Sequence, residues 1–139
     1  MALIADLEAQ GRIKRQVFTA EEITETLQRA RDELDAARMV AGKHPETAFK
    51  LAYEAMFLAG SALLQKDGYR LGADGHHKTL VDYLEQRIGP LDMGLVNELD
   101  EARKKRNWSF YDRRKITNRE LQHILATADR FVEFISNLL

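Results

Sequence analysis

Residues 45–64 read PETAFKLAYEAMFLAGSALL, and their pattern decides the class of fold. Pro45 suits the first turn of a helix, where its missing N–H would have had no intrahelical partner. From Ala48 to Leu64 the segment is apolar nearly all the way round, which is the signature of a helix covered on every side. The small residues in it, Gly60 and Ser61 among many Ala, let neighbours approach closely. It is therefore expected to be the central helix of a bundle, packing against its own domain and against a second subunit. Glu54 lies inside this run. It is either a buried acid paired with Lys or Arg or part of a narrow polar strip with Lys50 and Ser61, and the strip is preferred because unpaired acids are rarely fully buried.

Working outward, Thr19 followed by Glu22 forms a capping box, with Phe18 and Ile23 placed as a hydrophobic staple. Ile23, Leu27, Ala30, Leu34, Ala37 and Ala41 then step by four and three, a single apolar stripe that Gly42 ends. After a loop from Asp67 to Gly75, His76 and His77 open a short helix carrying Leu80, Val81, Leu84 and Ile88, stopped by Gly89 and Pro90. Another starts near Leu91 and carries Met93, Val96 and Leu99 before turning basic. A second capping box, Thr117 with Glu120 and the staple pair Ile116 and Leu121, opens the last helix, whose apolar positions run from Leu121 to Leu138. The expected fold is all-α. It is an antiparallel bundle of four main helices (residues 19–139) preceded by a short N-terminal helix and a basic connector holding Arg12, Lys14 and Arg15 (residues 1–18).

Composition agrees. With 18 Leu and 17 Ala against 5 Val, and only 2 Pro in 139 residues, the chain is built from helix formers. A chain of this length makes one domain and can bury about 68–70% of its unfolded surface without staples. Zero Cys excludes disulfides, thiolate zinc sites and cysteine nucleophiles, and fits a reducing cytoplasm, the expected location. Met1 to Gln10 lacks a basic region and a long apolar core, so it is not read as a signal peptide. Leu51 to Leu64 is too short to span a bilayer, and no membrane role is expected.

Chemistry concentrates between Arg103 and Arg119. Eight basic residues (Arg103, Lys104, Lys105, Arg106, Arg113, Arg114, Lys115 and Arg119) stand there with one acid, Asp112, in a chain of net charge −1. Trp108, Phe110 and Tyr111 are interleaved with them. Cations among aromatics are what a nucleic-acid site requires, charge for phosphates and rings for bases. A merely solvated face would alternate signs, because packed like charges repel. The competing reading assigns the cations to the helix dipole and the rings to the core. The residues expected to bind RNA or a nucleotide are Arg103, Lys104, Arg106, Asn107, Trp108, Arg113 and Arg114.

The run ARKKRNWSFYD (Ala102–Asp112) resembles the motif of HEPN domains (higher eukaryotes and prokaryotes nucleotide-binding), in which Arg-Asn is followed after three residues by His or, in some members, Tyr. TAFKLAYEAMFLAGSALLQKDGYR (Thr47–Arg70) and GADGHHKTLVDYL (Gly72–Leu84) are similar to the family's Ala-rich central helix, Gly-containing loop and His-initiated helix. The likeness covers about Thr19 to Leu139, and the short N-terminal helix is similar to an extension of some bacterial members. It implies a helical bundle that forms a homodimer, with the Arg-Asn segments of two subunits lining a shared basic cleft. Many members are metal-independent ribonucleases, often the toxin half of a toxin-antitoxin pair with a small nucleotidyltransferase. Others lack the catalytic residue and bind nucleotides or partner proteins.

Arg106 and Asn107 match the Arg-Asn, and Tyr111 stands where His would. That exchange matters for catalysis, since a 2′-hydroxyl must lose a proton as it attacks the adjacent phosphate. An imidazole of pKa ~6.5 can accept it, whereas about one phenol in a thousand is ionised at pH 7. Binding survives the exchange better, because an Arg fork still holds a phosphate. Three readings follow. The first is an RNA- or nucleotide-binding module paired with a nucleotidyltransferase-fold protein. The second is an active endoribonuclease using Arg106, Asn107 and Tyr111. The third is a bundle for protein interaction alone. In an unbroken helix Arg103, Asn107 and Tyr111 share a face that Arg106 does not, so a joint role for Arg106 and Tyr111 needs a helix end near Trp108 or a second subunit.

No cofactor and no metal are expected. Adjacent His76 and His77 project differently and no third ligand converges with Asp74, so capping or packing is preferred for them, and a place near the phosphate cleft depends on tertiary folding. His44 is read as a loop residue and His123 as structural.

Overall fold

A computed structural model describes residues 3–111 and 115–139, with residues 108–111 described in their backbone alone. Its elements in chain order are α1 (Ile4–Ala9), β1 (Ile13–Arg15), α2 (Ala20–Val40), α3 (Pro45–Lys66), β2 (Tyr69–Leu71), α4 (His76–Arg87), α5 (Gly89–Tyr111) and α6 (Asn118–Ser136). The class is all-α, as the composition requires. The four main helices, the short N-terminal helix and the short helix opened by His76 and His77 are the six helices of the described residues.

Both capping boxes form. The Thr19 hydroxyl accepts from the Glu22 N–H at 3.1 Å, while the Glu22 carboxylate accepts from the Thr19 N–H at 2.9 Å. Thr117 and Glu120 repeat the exchange at 3.1 Å in both directions. Each satisfies two backbone donors that the first helical turn leaves open. Within α5, Asp92 leaves the helical conformation and its Oδ1 accepts from the Leu95 N–H at 3.2 Å. An Asp N-cap thus restarts the helix just beyond Pro90, close to the expected start.

α3 is the centre. It packs most extensively on α2 and then α6, with α4, α5 and β2 completing its cover. Phe49, Ala52, Tyr53, Ala55, Met56, Ala59, Leu63 and Leu64 are buried, and Gly60 lets Leu80 and Leu84 of α4 sit against its backbone. The apolar surface that suggested a subunit contact is thus largely spent within one chain. Among the residues α3 leaves half-exposed, Lys50, Glu54, Phe57 and Ser61 follow the helical spacing expected of a polar strip, with Phe57 set among its polar members.

The small sheet was not expected from the sequence. Segments read as a basic connector and a loop pair as antiparallel strands, Ile13 opposite Leu71 and Arg15 opposite Tyr69. Gly72 is required beside it, because a Cβ there would lie 2.3 Å from the Gly11 carbonyl oxygen. The sheet fastens residues 3–18 to the bundle. Leu7 and Ile13 are fully buried, and Arg12 forms an ion pair with Asp82 of α4 at 2.6 Å and donates to the Thr79 hydroxyl. Gly75, in the left-handed region, then turns the chain into α4 and presents His76 and His77 in its first turn.

Candidate phosphate-binding site

The site is built where α3, the first turn of α4 and the second half of α5 meet. α5 buries Leu95, Val96, Leu99 and Ala102 against the bundle. Arg103 and Arg106, three residues apart, follow on the flank of that stripe and are half-buried. The Arg106 guanidinium lies over the Tyr53 ring, 5.7 Å from its centre, a cation–π contact that holds the charge beside an apolar surface. Arg103 is held by Asp100, its Nε 2.9 Å from Oδ1.

Tyr53 is buried, and its hydroxyl lies 2.8 Å from His77 Nδ1. The imidazole stacks beside the Tyr53 ring and tilts against Phe57, with centres 5.6 and 4.6 Å apart. Two arginines, a phenol and an imidazole from three helices therefore share one junction. Its electrostatics disfavour charge on the imidazole and the phenol. Burial, then the nearby Arg106, His76 and Arg103, lower the His77 pKa from its usual value, so the ring is neutral at pH 7. Burial raises the Tyr53 phenol well above its ordinary range despite the two arginines. Glu54, also beside Arg106, is raised by burial and by Glu33, against the pull of Arg106 and Arg29. Asp100 goes the other way. Burial opposes its charge, but the Arg103 hydrogen bond and the fields of Arg103, Lys104 and Lys78 outweigh it and lower the pKa.

Of the residues singled out from sequence, Arg103 and Arg106 come together here, with half-buried Asn107 following on the same helix. Lys104 is turned outward, 3.5 Å from Asp100 and 3.6 Å from Glu101. Lys105 reaches Glu120 of α6 at 3.7 Å. The basic run is therefore partly neutralised, by acids one turn earlier and by a neighbouring helix. The side chains of Trp108 and Tyr111, and all of Arg113 and Arg114, lie outside the described residues. The α5 backbone continues as helix to Tyr111, so there is no helix end near Trp108. Arg106 and Tyr111, five residues apart, stand about 140° apart around the axis. A joint role for them would need a second subunit.

His77 takes the place near the arginines that spacing left undecided. His123 bridges helices instead, its Nε2 2.8 Å from Glu98. Among the described residues no group of three or more His, Asp or Glu could hold a metal, and no helix is long and apolar enough to cross a membrane. Tyr53 escaped the sequence reading. Its signal was present, since a tyrosine in an otherwise Ala- and Leu-rich buried helix needs a partner for its hydroxyl.

No curated protein sequence matches the chain. The family model for the HEPN domain matches residues 23–138, which takes in all of α3, β2, α4, α5 and α6 and nearly all of α2. The match spans every residue of the junction and carries a nucleotide- or RNA-related function at the level of the family: the chain belongs to the HEPN domain family.

Proposed function

We propose that this HEPN domain binds the phosphates of RNA or of a nucleotide at the junction of Arg103, Arg106 and Asn107, and that it acts as a binding component and not as a nuclease. The reading is carried by the convergence of Arg103 and Arg106 on Tyr53 and His77, which puts two guanidiniums beside a wall of aromatic rings. A guanidinium next to an apolar surface holds phosphate more strongly than one in open water, because the competing dielectric is lower. Its assembly is a homodimer, which rests on the family's usual architecture, paired with a nucleotidyltransferase-fold protein in a toxin-antitoxin-like module. A nucleotidyltransferase gene beside this one would support the pairing.

Binding of a short single-stranded RNA across a salt series tests the site. Each phosphate contact contributes about −0.7 to the slope of log affinity against log salt. Replacing Arg103 and Arg106 together with Ala should weaken binding and flatten the slope by about 1.4, two such contacts. Unchanged affinity and slope would show that the pair is a solvated face.

The second reading is a metal-independent endoribonuclease using Arg106, Asn107 and Tyr111, favoured by the half-buried Arg106–Asn107 pair on a helix that continues to Tyr111. Robust RNA cleavage in EDTA by the wild type, lost in Tyr111→Phe, would establish it in the Arg106, Asn107 and Tyr111 form.

A further inference from the structure

The contact between Tyr53 and His77 decides what the imidazole can do. Tyr53 is 1% exposed, and a buried phenol O–H must donate to an acceptor. Among the described residues the acceptor at hand is His77 Nδ1, 2.8 Å away. When Nδ1 accepts, the single proton of the neutral imidazole resides on Nε2. Stacking on Tyr53 and the tilted contact with Phe57 fix the plane of the ring. Nε2 makes no hydrogen bond to a described residue, and the side chain is half-exposed.

The charges around the ring keep it in this form. Arg103 and Arg106 face it from α5, His76 adjoins it on α4, and Tyr53 meets it from α3. Glu54 and Asp100 act on Tyr53, one step further out. The positive end of the α4 dipole also opposes protonation. An uncharged donor can stand beside two guanidiniums without repelling them.

We propose that His77 Nε2–H is an anion ligand that completes, with Arg103 and Arg106, a three-donor seat for one phosphate group, and that Tyr53 is the positioning residue that holds the donor tautomer. This rests on the phosphate-binding reading above and deepens it. In this tautomer Nε2 has no lone pair with which to take a proton from a 2′-hydroxyl, so His77 grips the phosphate and is not the base that Tyr111 leaves missing.

The probe is a fluorescent single-stranded RNA of five nucleotides, titrated at pH 7.5 onto the full chain. His77→Gln keeps an N–H donor close to the position of Nε2 and should bind within about threefold of wild type. His77→Phe keeps the ring packing, loses the donor and should lose about tenfold or more, the worth of one charge-assisted hydrogen bond. Two-bond proton–nitrogen NMR correlations of the wild type, which need no variant, should show the His77 proton on Nε2, and Tyr53→Phe should shift it toward Nδ1. Wild-type affinity in His77→Phe, an equal loss in His77→Gln, or a proton on Nδ1 in the wild type would each overturn the proposal. Any of these together with a binding defect in the Arg103→Ala, Arg106→Ala double variant leaves the phosphate-site reading standing. Binding that ignores the arginine pair removes that reading itself.

Discussion

Tyr83 and Tyr53 are both buried, and each hydroxyl meets one polar partner, yet their surroundings differ in charge. Tyr83 donates to Asp67, which also accepts from Arg87 Nε at 2.8 Å. One carboxylate meets one guanidinium there, and the network closes. Around Tyr53 the partner is a neutral imidazole and the ring carries Arg106 on its face. Asp100 is shared between Arg103 and Lys104, and the Glu54 carboxyl is raised by burial and by Glu33 against the pull of Arg106 and Arg29. A balanced network needs nothing from outside. At the Tyr53 junction two guanidiniums flank aromatic rings and a neutral imidazole, and the field of such an arrangement favours an anion from solution.

The sharpest break between the two regions comes from removing each one's charges. Arg103→Ala with Arg106→Ala should lower RNA affinity about a hundredfold at low salt, two charge-assisted contacts of roughly tenfold each, and leave the fold intact. Asp67→Ala should do the reverse. It strands the Tyr83 hydroxyl and the Arg87 guanidinium, so it should cost about 2 kcal/mol in urea unfolding with RNA affinity unchanged. A loss of affinity in Asp67→Ala equal to that of the arginine pair would erase the distinction.

Smaller effects sharpen it. Thr117→Ala removes the cap of α6 and should cost about 1 kcal/mol, with Thr19→Ala similar at α2, and neither should change binding. The last effect is a pH dependence confined to the Tyr53 region. Because His77 has a lowered pKa in the fold, the unfolded chain binds its proton more readily. Above the unfolded value of ~6.5 both states are neutral and His77 contributes nothing. As pH falls through ~6.5 toward the folded value, stability is lost. Unfolding of His77→Gln from pH 8 to pH 5 should show a shallower decline than wild type. Parallel curves would place the imidazole in water.

The sequence revealed the helices because their signals are local. Thr19, Pro45 and Thr117 mark helix starts through chemistry within three residues, and the apolar stripes repeat within one helix. The sheet was hidden for the opposite reason. Strands of three residues are too short to show alternation, Lys14 and Arg70 read as connector residues, and their pairing joins positions 56 apart in the chain. The site divides in the same way. Arg103 and Arg106 were visible as part of a charge run. The run looked stronger than it is, because Asp100 and Glu101 lie just ahead of it and Glu120 reaches it from another helix. Tyr53 and His77 meet across 24 residues of chain, and what joins them is packing between helices.

The central claim, that phosphate is held at the Tyr53 end of the bundle, is tested most directly by mapping where a short single-stranded RNA perturbs the NMR spectrum of the full chain. The largest changes should fall on the His77 ring and on the side-chain N–H signals of Arg103 and Arg106, with Tyr83, Asp67 and Arg87 unmoved. Changes centred on Tyr83 and Arg87, or on Lys14 and Arg70 of the sheet, with His77 silent, would contradict it.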